Sequence, residues 1–345
     1  METIVEKQVT PSHIMQVGMG FWASKTLLTA VKLGLFTELA FGGRTAASIK
    51  AKLELHGRGL YDFLDSLVAL GFLKRDGLKE SAIYSNAEDV DKFLDRNKPS
   101  YMGGVLEMSD RRLYAFWNDL EEGLKTGLPQ NEEKHHGKSI FEELYADPEK
   151  LKGFTKAMSG IQIGNFMAFA NKFDFSEYQT LCDVGGAGAD LSAHVVMNNP
   201  QMHCTSFDLP PVQPVAKANI EELGLSDKIS TVAGDFFKDS LPQADVITMG
   251  NVMHDWSVAD KKVLMKKAYD ALPEGGSLVV IESIIDDERR QNVFGLLMSL
   301  NMLIETKEGF DFTGQDFDSW AKDTGFKETY VMPLAGPSSA AVAIK

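Results

Sequence analysis

The segment Asp183-Val184-Gly185-Gly186-Ala187-Gly188-Ala189 decides the fold. It follows the apolar pair Leu181-Cys182 and precedes a stretch with helical spacing, so it predicts a strand, a glycine-rich turn and a helix. In an open α/β sheet such a turn lies at the carboxyl edge, where these sheets bind their ligands. A tight turn that binds no ligand is the alternative explanation of the glycines.

The spacing of these glycines restricts the class of ligand. The turn does not read G-x-G-x-x-G, and it lacks the Lys-Ser/Thr ending of a phosphate-binding loop. A dinucleotide or a nucleoside triphosphate is therefore disfavoured. A conjugate of adenosine and methionine carries no phosphate and needs no such loop.

Segments of strand length alternate with helical segments after residue 176. This alternation predicts an α/β domain with a mostly parallel sheet covered by helices on both faces. The last two strands are joined by a short connection and are therefore predicted to form an antiparallel hairpin. The predicted strands are Leu181–Val184, Cys204–Leu209, Ile229–Ala233, Val246–Met249, Leu278–Ile281, Thr329–Met332 and Ala341–Ile344.

The first hundred residues predict a separate helical unit. Apolar residues with helical spacing run from Ile14 to Leu39 and form a stripe that needs a partner. A helical segment from Leu60 to Val68, followed by short strands at Phe72–Lys74 and Ile83–Tyr84, predicts a winged helix. We expect a winged-helix-like dimerisation domain over 1–100, a helical bridging and substrate-lid region over 101–175, and a catalytic domain over 176–345.

The charge of the chain argues against nucleic acid as a partner. The 345 residues carry a formal net charge of -14, with a sequence pI near 5.0. This composition leaves no broad basic surface for a phosphate backbone. The helix that would enter a DNA groove carries Asp62 and Asp65. A regulator that senses a cofactor and binds DNA stays the non-enzyme alternative.

The cysteines and the hydropathy pattern indicate the compartment. Cys182 and Cys204 lie in neighbouring predicted strands, without the spacing of a metal site or of a disulfide framework. No uncharged apolar run is long enough to span a bilayer, and the charged N-terminus lacks a signal-peptide core. We therefore expect a cytoplasmic protein with no membrane contact and no bound metal.

Acidic and aromatic side chains follow the second and third predicted strands. Asp208 ends the second strand, where a carboxylate can accept hydrogen bonds from both hydroxyls of a ribose, or can cap the next helix. Asp235 and Phe236 follow the third strand and offer a carboxylate for an adenine amino group and a ring for stacking. Together with the glycine-rich turn, they indicate a ligand that contains a nucleoside.

A histidine with a carboxylate neighbour follows the fourth predicted strand. His254, Asp255 and Trp256 come shortly after Asn251 at the predicted ligand edge, where an imidazole can act as a general base. Glu282 ends the fifth strand, from which it is predicted to reach His254. A carboxylate beside an imidazole fixes its tautomer and stabilises the imidazolium. A purely structural histidine is the alternative.

As an ordered set, these motifs resemble the small-molecule O-methyltransferases typified by the plant caffeate and the acetylserotonin enzymes, with bacterial natural-product relatives. The resemblance covers nearly the whole chain. It is carried, after the winged-helix region, by Asp183-Val184-Gly185-Gly186, Asp208-Leu209-Pro210, Gly234-Asp235-Phe236-Phe237 and His254-Asp255-Trp256.

The resemblance implies a class I methyltransferase sheet, S-adenosylmethionine as the cofactor, a homodimer and a small, aromatic, hydroxylated acceptor. It implies His254 as the catalytic base and Glu282 as its carboxylate partner. The residues that it assigns to the cofactor are Asp183, Gly185, Gly186, Asp208, Leu209, Asp235, Phe236 and Asn251.

The chain departs from the family pattern at two positions. Ala189 stands where the turn of the family usually closes with a glycine, and its methyl group is expected to crowd the methionine end of the cofactor. Asp311 aligns with a second carboxylate beside the base and is one methylene shorter than the usual glutamate. Asp311 is expected either to hold the imidazole or to begin a helix with Thr313.

The acceptor pocket is predicted from the bridging helices and the late helix. Methionines adapt to flat rings, although the same residues also fit an ordinary core. Methyl transfer to carbon or nitrogen of a ring, or a diverged protein that binds the cofactor without transferring methyl, are the alternatives to O-methylation. The predicted acceptor residues are Phe154, Met158, Asp255, Met298, Asn301 and Met302.

Overall fold

The computed structural model describes residues 9–98, 100–137, 144 and 147–345. The N-terminal Met1–Lys7 segment and part of the predicted bridging region, residues 138–143 and 145–146, lie outside the described residues. The chain folds into one unit that ends at Leu113 and a second unit from Tyr114 to Lys345. The predicted boundaries at residues 100 and 175 stay predictions.

The first unit is built from short helices and a small antiparallel sheet. Its strands are β1 (Arg44–Thr45), β2 (Leu73–Asp76) and β3 (Ile83–Asn86), in the order β1-β3-β2. Its helices are α1 (Ser12–Gly18), α2 (Gly20–Lys32), α3 (Leu35–Ala40), α4 (Ala46–Lys52), α5 (Leu60–Ala69), α6 (Glu88–Phe93) and α7 (Gly103–Met108), and a π-helical turn follows at Ser109–Leu113.

The predicted apolar stripe of the first unit divides into two parts. Gly34 has a positive φ of 72° and breaks the helical run between α2 and α3. Apolar residues of α2 to α5 then form the core of this unit. Towards the N-terminus, the residues of α1 and the start of α2 are exposed, and these include Ile14, Met15, Val17 and Trp22. The exposed part of the stripe is thus an apolar surface of this unit.

The second unit contains a seven-stranded sheet in the order β6-β5-β4-β7-β8-β10-β9. The first five of these strands pair in parallel, and β10 pairs antiparallel with both β8 and β9. The predicted strands and the terminal hairpin are confirmed. The strands are β4 (Thr180–Val184), β5 (His203–Asp208), β6 (Ile229–Ala233), β7 (Val246–Gly250), β8 (Ser277–Glu282), β9 (Glu328–Pro333) and β10 (Ser339–Ile344).

Helices precede the sheet of the second unit and connect its strands. Apolar clusters pack on both faces of the sheet, as the strand-helix alternation predicts. None of the helices among the described residues combines the length and the hydropathy needed to cross a membrane. The helices are α8 (Tyr114–Phe116), α9 (Leu120–Thr126), α10 (Glu132–His136), α11 (Pro148–Lys172), α12 (Asp190–Asn198), α13 (Gln213–Glu222), α14 (Val258–Ala271), α15 (Val293–Glu305) and α16 (Gly314–Thr324).

The strand order places the ligand edge of this sheet. From β4 the chain proceeds to β5 and β6 on one side, and it then returns to form β7 and β8 on the other. The order of the strands therefore reverses between β4 and β7, and open α/β sheets bind ligands outside the carboxyl ends of strands at such a point. The glycine-rich turn after β4 and the segment 251–256 after β7 meet at this point.

Candidate active site

His254 lies in a short 3-10 turn, Met253–Asp255, directly after β7. The chain leaves the strand through Asn251, which has a positive φ of 51°. The imidazole is buried, and its Nδ1 atom lies 3.3 Å from Oε2 of Glu282 and 3.4 Å from Oδ1 of Asp311. The structure thus brings the three predicted catalytic residues together around one ring nitrogen.

Glu282 and Asp311 reach the ring from different elements. Glu282 ends β8, and its Oε1 atom also accepts a hydrogen bond of 3.2 Å from the backbone N–H of His254. Asp311 lies in the segment between α15 and α16. The backbone N–H of Ile285, shortly after β8, donates a hydrogen bond of 2.9 Å to the carbonyl of Phe312 and so attaches this segment to the end of the strand. Both carboxylates are almost completely buried.

The start of α16 excludes the other role considered for Asp311. Thr313 caps this helix, and Asp316 completes a capping box by accepting a hydrogen bond from the backbone N–H of Thr313. Asp311 therefore takes no part in the helix start, and it faces the imidazole instead.

The second ring nitrogen of His254 has a different environment. Its Nε2 atom lies 3.6 Å from Oδ1 of Asp255, a distance too long for a direct hydrogen bond. Two carboxylates at Nδ1 favour a proton on that atom, so the lone pair of the neutral ring is placed on Nε2. This nitrogen is thus oriented to receive a proton.

The carboxylates control the ionisation of the cluster. Burial of the His254 ring disfavours its charged form, but the three surrounding carboxylates outweigh this effect and raise the pKa of His254 to about 10. Burial also raises the pKa of Glu282, to about 7, although the imidazolium opposes this shift. Burial likewise raises the pKa of Asp255. The site therefore stabilises an imidazolium strongly.

The glycine-rich turn after β4 has an unusual backbone. Gly185 has a φ of 72°, and two alanines of the turn also have positive φ values, 46° at Ala187 and 63° at Ala189. A Cβ atom at Gly186 would lie 2.5 Å from the hydroxyl oxygen of Ser206, so only glycine fits there. The turn is held in a conformation that most residues avoid, and such strain is concentrated at ligand sites.

Ala189 ends the glycine-rich turn. The residue precedes α12, is fully buried and belongs to the apolar core on one face of the sheet. The methyl group therefore has partners in the core, and the expectation that it crowds the cofactor stays a prediction. The positive φ of this alanine requires some backbone strain.

Asp208 and Asp183 lie on either side of this turn. The carboxylate of Asp208 accepts hydrogen bonds from the backbone N–H groups of Ala187 (2.9 Å) and Leu209 (2.7 Å), and it is partly exposed. It does not cap α13, which begins after Val212. Asp183 is buried beneath the turn, where its Oδ1 atom accepts a hydrogen bond of 2.8 Å from the Thr248 hydroxyl, and burial raises its pKa to about 7.

The segment after β6 supplies a charged and an aromatic group. Asp235 forms an ion pair of 2.9 Å with Lys238, which lowers the pKa of this carboxyl. It also accepts a hydrogen bond from the backbone N–H of Phe237. The ring of Phe236 packs edge-on against Phe237 and Trp256. The ring is thus fixed by its neighbours, and the Asp235 carboxylate retains acceptor capacity beside its ion pair with Lys238.

Of the six predicted acceptor residues, Asp255 lies in the turn that carries His254, and the other five lie on α11 and α15. Phe154 and Met158 on α11 are partly buried, as are Met298 and Asn301 on α15. The side-chain oxygen of Asn301 accepts a hydrogen bond of 2.9 Å from Trp117 Nε1. Met302 is buried and belongs to the protein interior. Contact with an acceptor stays a prediction for all of these residues.

Two groups of this site were missed in the sequence. Asp190 accepts hydrogen bonds from the hydroxyl of Ser159 and from the side chain of Asn219 (3.1 Å), and it thereby joins the start of α12 to α11 and α13. Its position directly after the glycine-rich turn is a signal that could have identified it. Lys261 is completely buried beside the base, and no sequence signal distinguishes it from an exposed lysine of α14.

The residues present fit the implied cofactor. Asp208 is held by two backbone donors and remains partly exposed, so its carboxylate is accessible to ribose hydroxyls. The fixed ring of Phe236 offers a face or edge to a base at the next strand end. Acidic groups also suit a ligand that carries a sulfonium cation. The fold and this edge define the class I, S-adenosylmethionine-dependent methyltransferases.

Comparison with known proteins identifies the family. Residues 117–327 match the O-methyltransferase domain, and residues 15–96 match the O-methyltransferase dimerisation domain. The chain therefore belongs to the O-methyltransferase family, and S-adenosylmethionine is its cofactor.

Individual relatives agree with this assignment. The chain is 36% identical to the tetracenomycin polyketide synthesis 8-O-methyl transferase TcmO of Streptomyces glaucescens, over 97% of each chain. It is 31% identical to the N,N-dimethyltransferase OxyT of Streptomyces rimosus, over 91% of this chain and 90% of that protein. The crystal structure of human N-acetylserotonin methyltransferase in complex with S-adenosylmethionine matches with a TM-score of 0.89 and 27% identity, over 99% of each chain.

Proposed function

We propose that this protein transfers the methyl group of S-adenosylmethionine to a hydroxyl of a small aromatic acceptor, with His254 as the general base. The observation that carries the proposal is the pair of buried carboxylates at Nδ1 of His254. They orient the ring and favour the tautomer that carries its proton on Nδ1. Nε2 then has the lone pair that receives the proton of the acceptor. This arrangement lies at the strand ends where the cofactor set converges.

The cofactor site comprises the turn after β4 and the next two strand ends. When bound there, S-adenosylmethionine supplies an electrophilic methyl group on a sulfonium. Asp208 would accept hydrogen bonds from the ribose hydroxyls, the turn at Gly185 and Gly186 would border the ligand, and Phe236 would stack on the adenine. Asp183 supports the turn from below through Thr248, and Asn251 and Leu209 border the site.

The protein contributes to the reaction through His254 and its carboxylates. As the acceptor oxygen forms its bond to the methyl carbon, the bond from that carbon to sulfur breaks and the hydroxyl proton passes to Nε2. The products are the methyl ether, S-adenosylhomocysteine and an imidazolium that Glu282 and Asp311 stabilise. General-base assistance contributes ~10²–10⁴-fold, whereas holding the reactants in line contributes ~7–11 kcal/mol. Positioning therefore supplies the larger part of the rate.

The proposed acceptor class is supported by the names of the relatives and by the apolar residues predicted for the acceptor pocket. The name of TcmO assigns that enzyme to polyketide synthesis and to transfer at oxygen. Phe154, Met158 and Met298 would border a flat ring, with Asn301 as a hydrogen-bonding group. Asp255, close to Nε2, would orient the acceptor hydroxyl. The name of TcmO and the apolar character of these residues support a hydroxylated aromatic compound of the polyketide type.

Calorimetric titration with S-adenosylmethionine and S-adenosylhomocysteine, followed by a screen of phenolic acceptors, tests the proposal. We expect micromolar binding, lowered at least ~10-fold in Asp208→Asn by the loss of a charged hydrogen-bonding group. The exposed Asp227, at the opposite end of the sheet, supplies the control Asp227→Asn. Binding without turnover of any acceptor would favour the diverged protein, and absence of binding would contradict the cofactor site.

Transfer to nitrogen is a second candidate, favoured by the identity to OxyT, which is named an N,N-dimethyltransferase. An amine acceptor can lose its proton to the solvent before the transfer. The methylation of an amine therefore depends less on His254 than the methylation of a hydroxyl does. Parallel assays with phenol and aniline pairs of the same ring distinguish the two. A preference for the amine, retained in His254→Gln, would support the second candidate.

We also propose a homodimer in a reducing, cytoplasmic environment, without nucleic acid as a partner. The match to a dimerisation domain and the exposed apolar surface of α1 and α2, including Ile14 and Trp22, support the dimer. The cysteines are free and buried, which supports the compartment. Light scattering should give twice the chain mass of 38.0 kDa, and a mass of one chain would contradict the dimer.

A further inference from the structure

Lys261 is a charged residue whose burial the methyl-transfer proposal does not explain. It lies on α14, and its side chain is fully buried within the second unit. Burying an ammonium group is unfavourable unless hydrogen bonds and opposite charges compensate for the lost hydration. The neighbouring Lys262 is exposed and pairs with Asp323 at 2.8 Å, as is usual for a helix surface. The surroundings of Lys261 therefore indicate what it does.

The ammonium group of Lys261 joins two segments of the active site. Nζ donates a hydrogen bond of 2.6 Å to the carbonyl of Trp256 and one of 3.1 Å to the carbonyl of Phe310. Trp256 follows the turn that carries His254, and Phe310 directly precedes Asp311. One side chain thus fixes the base and the second carboxylate relative to each other.

Aromatic rings and carboxylates compensate for the buried charge. Nζ lies 3.6 Å from the centre of the Phe310 ring, and the rings of Phe312 and Trp320 lie 5.7 and 6.0 Å away. Burial lowers the pKa of Lys261 to about 8, although the surrounding acids oppose the shift. The acids that act on it are Glu282, Asp311, Asp255 and Asp260.

We propose that Lys261 is a positioning residue for the base: it fixes the segments that carry His254 and Asp311 and lends positive charge to the carboxylate cluster. The inference rests on the proposed role of His254. Its ammonium group touches backbone carbonyls and no reacting atom, so it acts through its neighbours. Without this charge, three carboxylates would face one imidazolium, and the imidazolium would retain its proton to a higher pH.

Three variants separate charge from packing. Lys261→Met keeps the length of the side chain without its charge, Lys261→Arg keeps the charge in a different shape, and Lys262→Met is the matched control on the same helix. The pH profile of kcat, KM for the acceptor and the Kd for S-adenosylhomocysteine are measured for each.

In Lys261→Met we expect the acid limb of the pH profile of kcat to move to higher pH by ~1 unit, with a ~10-fold lower kcat at neutral pH. The Kd for S-adenosylhomocysteine should change less than about twofold, because Lys261 has no contact with that site. Lys261→Arg should lower kcat without moving the limb, and Lys262→Met should behave as the wild type. A folded Lys261→Met protein with an unchanged limb and unchanged kcat would overturn the proposal. If the Lys261→Met variant does not fold, an unchanged kcat in Lys261→Arg would overturn the proposal instead.

A second readout does not depend on turnover. The protein is labelled with ¹⁵N-histidine, the imidazole of His254 is assigned from its loss in His254→Gln, and its pH titration is followed by NMR. We expect the His254 pKa to rise in Lys261→Met and to stay within error in Lys262→Met. If no acceptor is methylated, the proposed function fails while this titration still decides the role of Lys261. An unchanged His254 pKa in a folded Lys261→Met protein overturns the electrostatic role.

Discussion

The Oδ1 atom of Asp311 lies 3.4 Å from Nδ1 of His254, so an aspartate reaches the imidazole. The position of its backbone makes this contact possible. The segment that carries Asp311 is fixed to the end of β8 by the hydrogen bond between Ile285 and Phe312, and to α14 by Lys261. The geometry of the base therefore depends on residues that touch neither cofactor nor acceptor.

Replacing His254 should separate catalysis from cofactor binding. In His254→Gln we expect kcat for a phenolic acceptor to fall ~10²–10⁴-fold, because the proton acceptor is lost. The affinity for S-adenosylhomocysteine should stay within about threefold, since His254 is not part of the cofactor set. His203 is exposed on β5, and His203→Gln is the matched control. A His254→Gln protein with full kcat would show that another group, or no group, removes the proton.

Asp311 should tune the pKa of the base. Its carboxylate is one of the groups that raise the pKa of His254 towards 10, so Asp311→Asn should lower that pKa. The acid limb of kcat then moves to lower pH, opposite to its direction in Lys261→Met, while the plateau falls because a weaker and less restrained base remains. The pH profile of kcat measures both effects. Asp323→Asn, on the surface, is the control, and a limb displaced to higher pH in Asp311→Asn would contradict this electrostatic account.

The sequence predicts the sheet well because its information is local. The parallel strands are short segments rich in apolar and β-branched residues, and the glycine-rich turn marks the ligand edge. The insertion of β10 between β8 and β9 was not predictable, since a hairpin pattern does not say which of its strands joins the sheet. Asp311 was assigned from the family pattern alone, because a loop residue distant in sequence carries no periodic signal.

Buried charges were the harder part of the site. Lys261 lies in the sequence Ala259-Asp260-Lys261-Lys262, where every residue is typical of an exposed helix surface. Its burial results from the packing of α14 against α16 and the aromatic residues between them. Similarly, the burial of the Ala189 methyl group in the core was not predictable, because the side to which a Cβ points in a strained turn depends on backbone angles that the sequence does not define.

Ala189→Gly should have little effect on cofactor affinity. The alanine methyl group is part of the core, so its removal loses ~0.8 kcal/mol of apolar burial, while glycine relieves ~1 kcal/mol of strain at positive φ. We expect stability to change by less than about 1 kcal/mol and the Kd for S-adenosylhomocysteine by less than about threefold. Ala193, inside α12 and also buried, gives the control Ala193→Gly, which loses both burial and helix propensity. Denaturation and calorimetry compare the two variants. A tenfold tighter cofactor in Ala189→Gly would restore the crowding hypothesis.

Removal of divalent cations should leave the reaction unchanged. His254, Glu282 and Asp311 are of the types that bind zinc, and one ligand atom from each lies within 4.8 Å of the others. In the proposed mechanism, however, Lys261 and, after proton transfer, the imidazolium balance the carboxylates, and Nε2 of the neutral ring must stay free for the acceptor proton. Dialysis against a chelator should therefore preserve kcat, whereas added Zn²⁺ should inhibit because it competes for the atoms that hold the base. The inhibition should weaken in Asp311→Asn and persist in Asp323→Asn. Loss of activity on chelation, restored by one cation, would replace the general-base mechanism with a metal-assisted one.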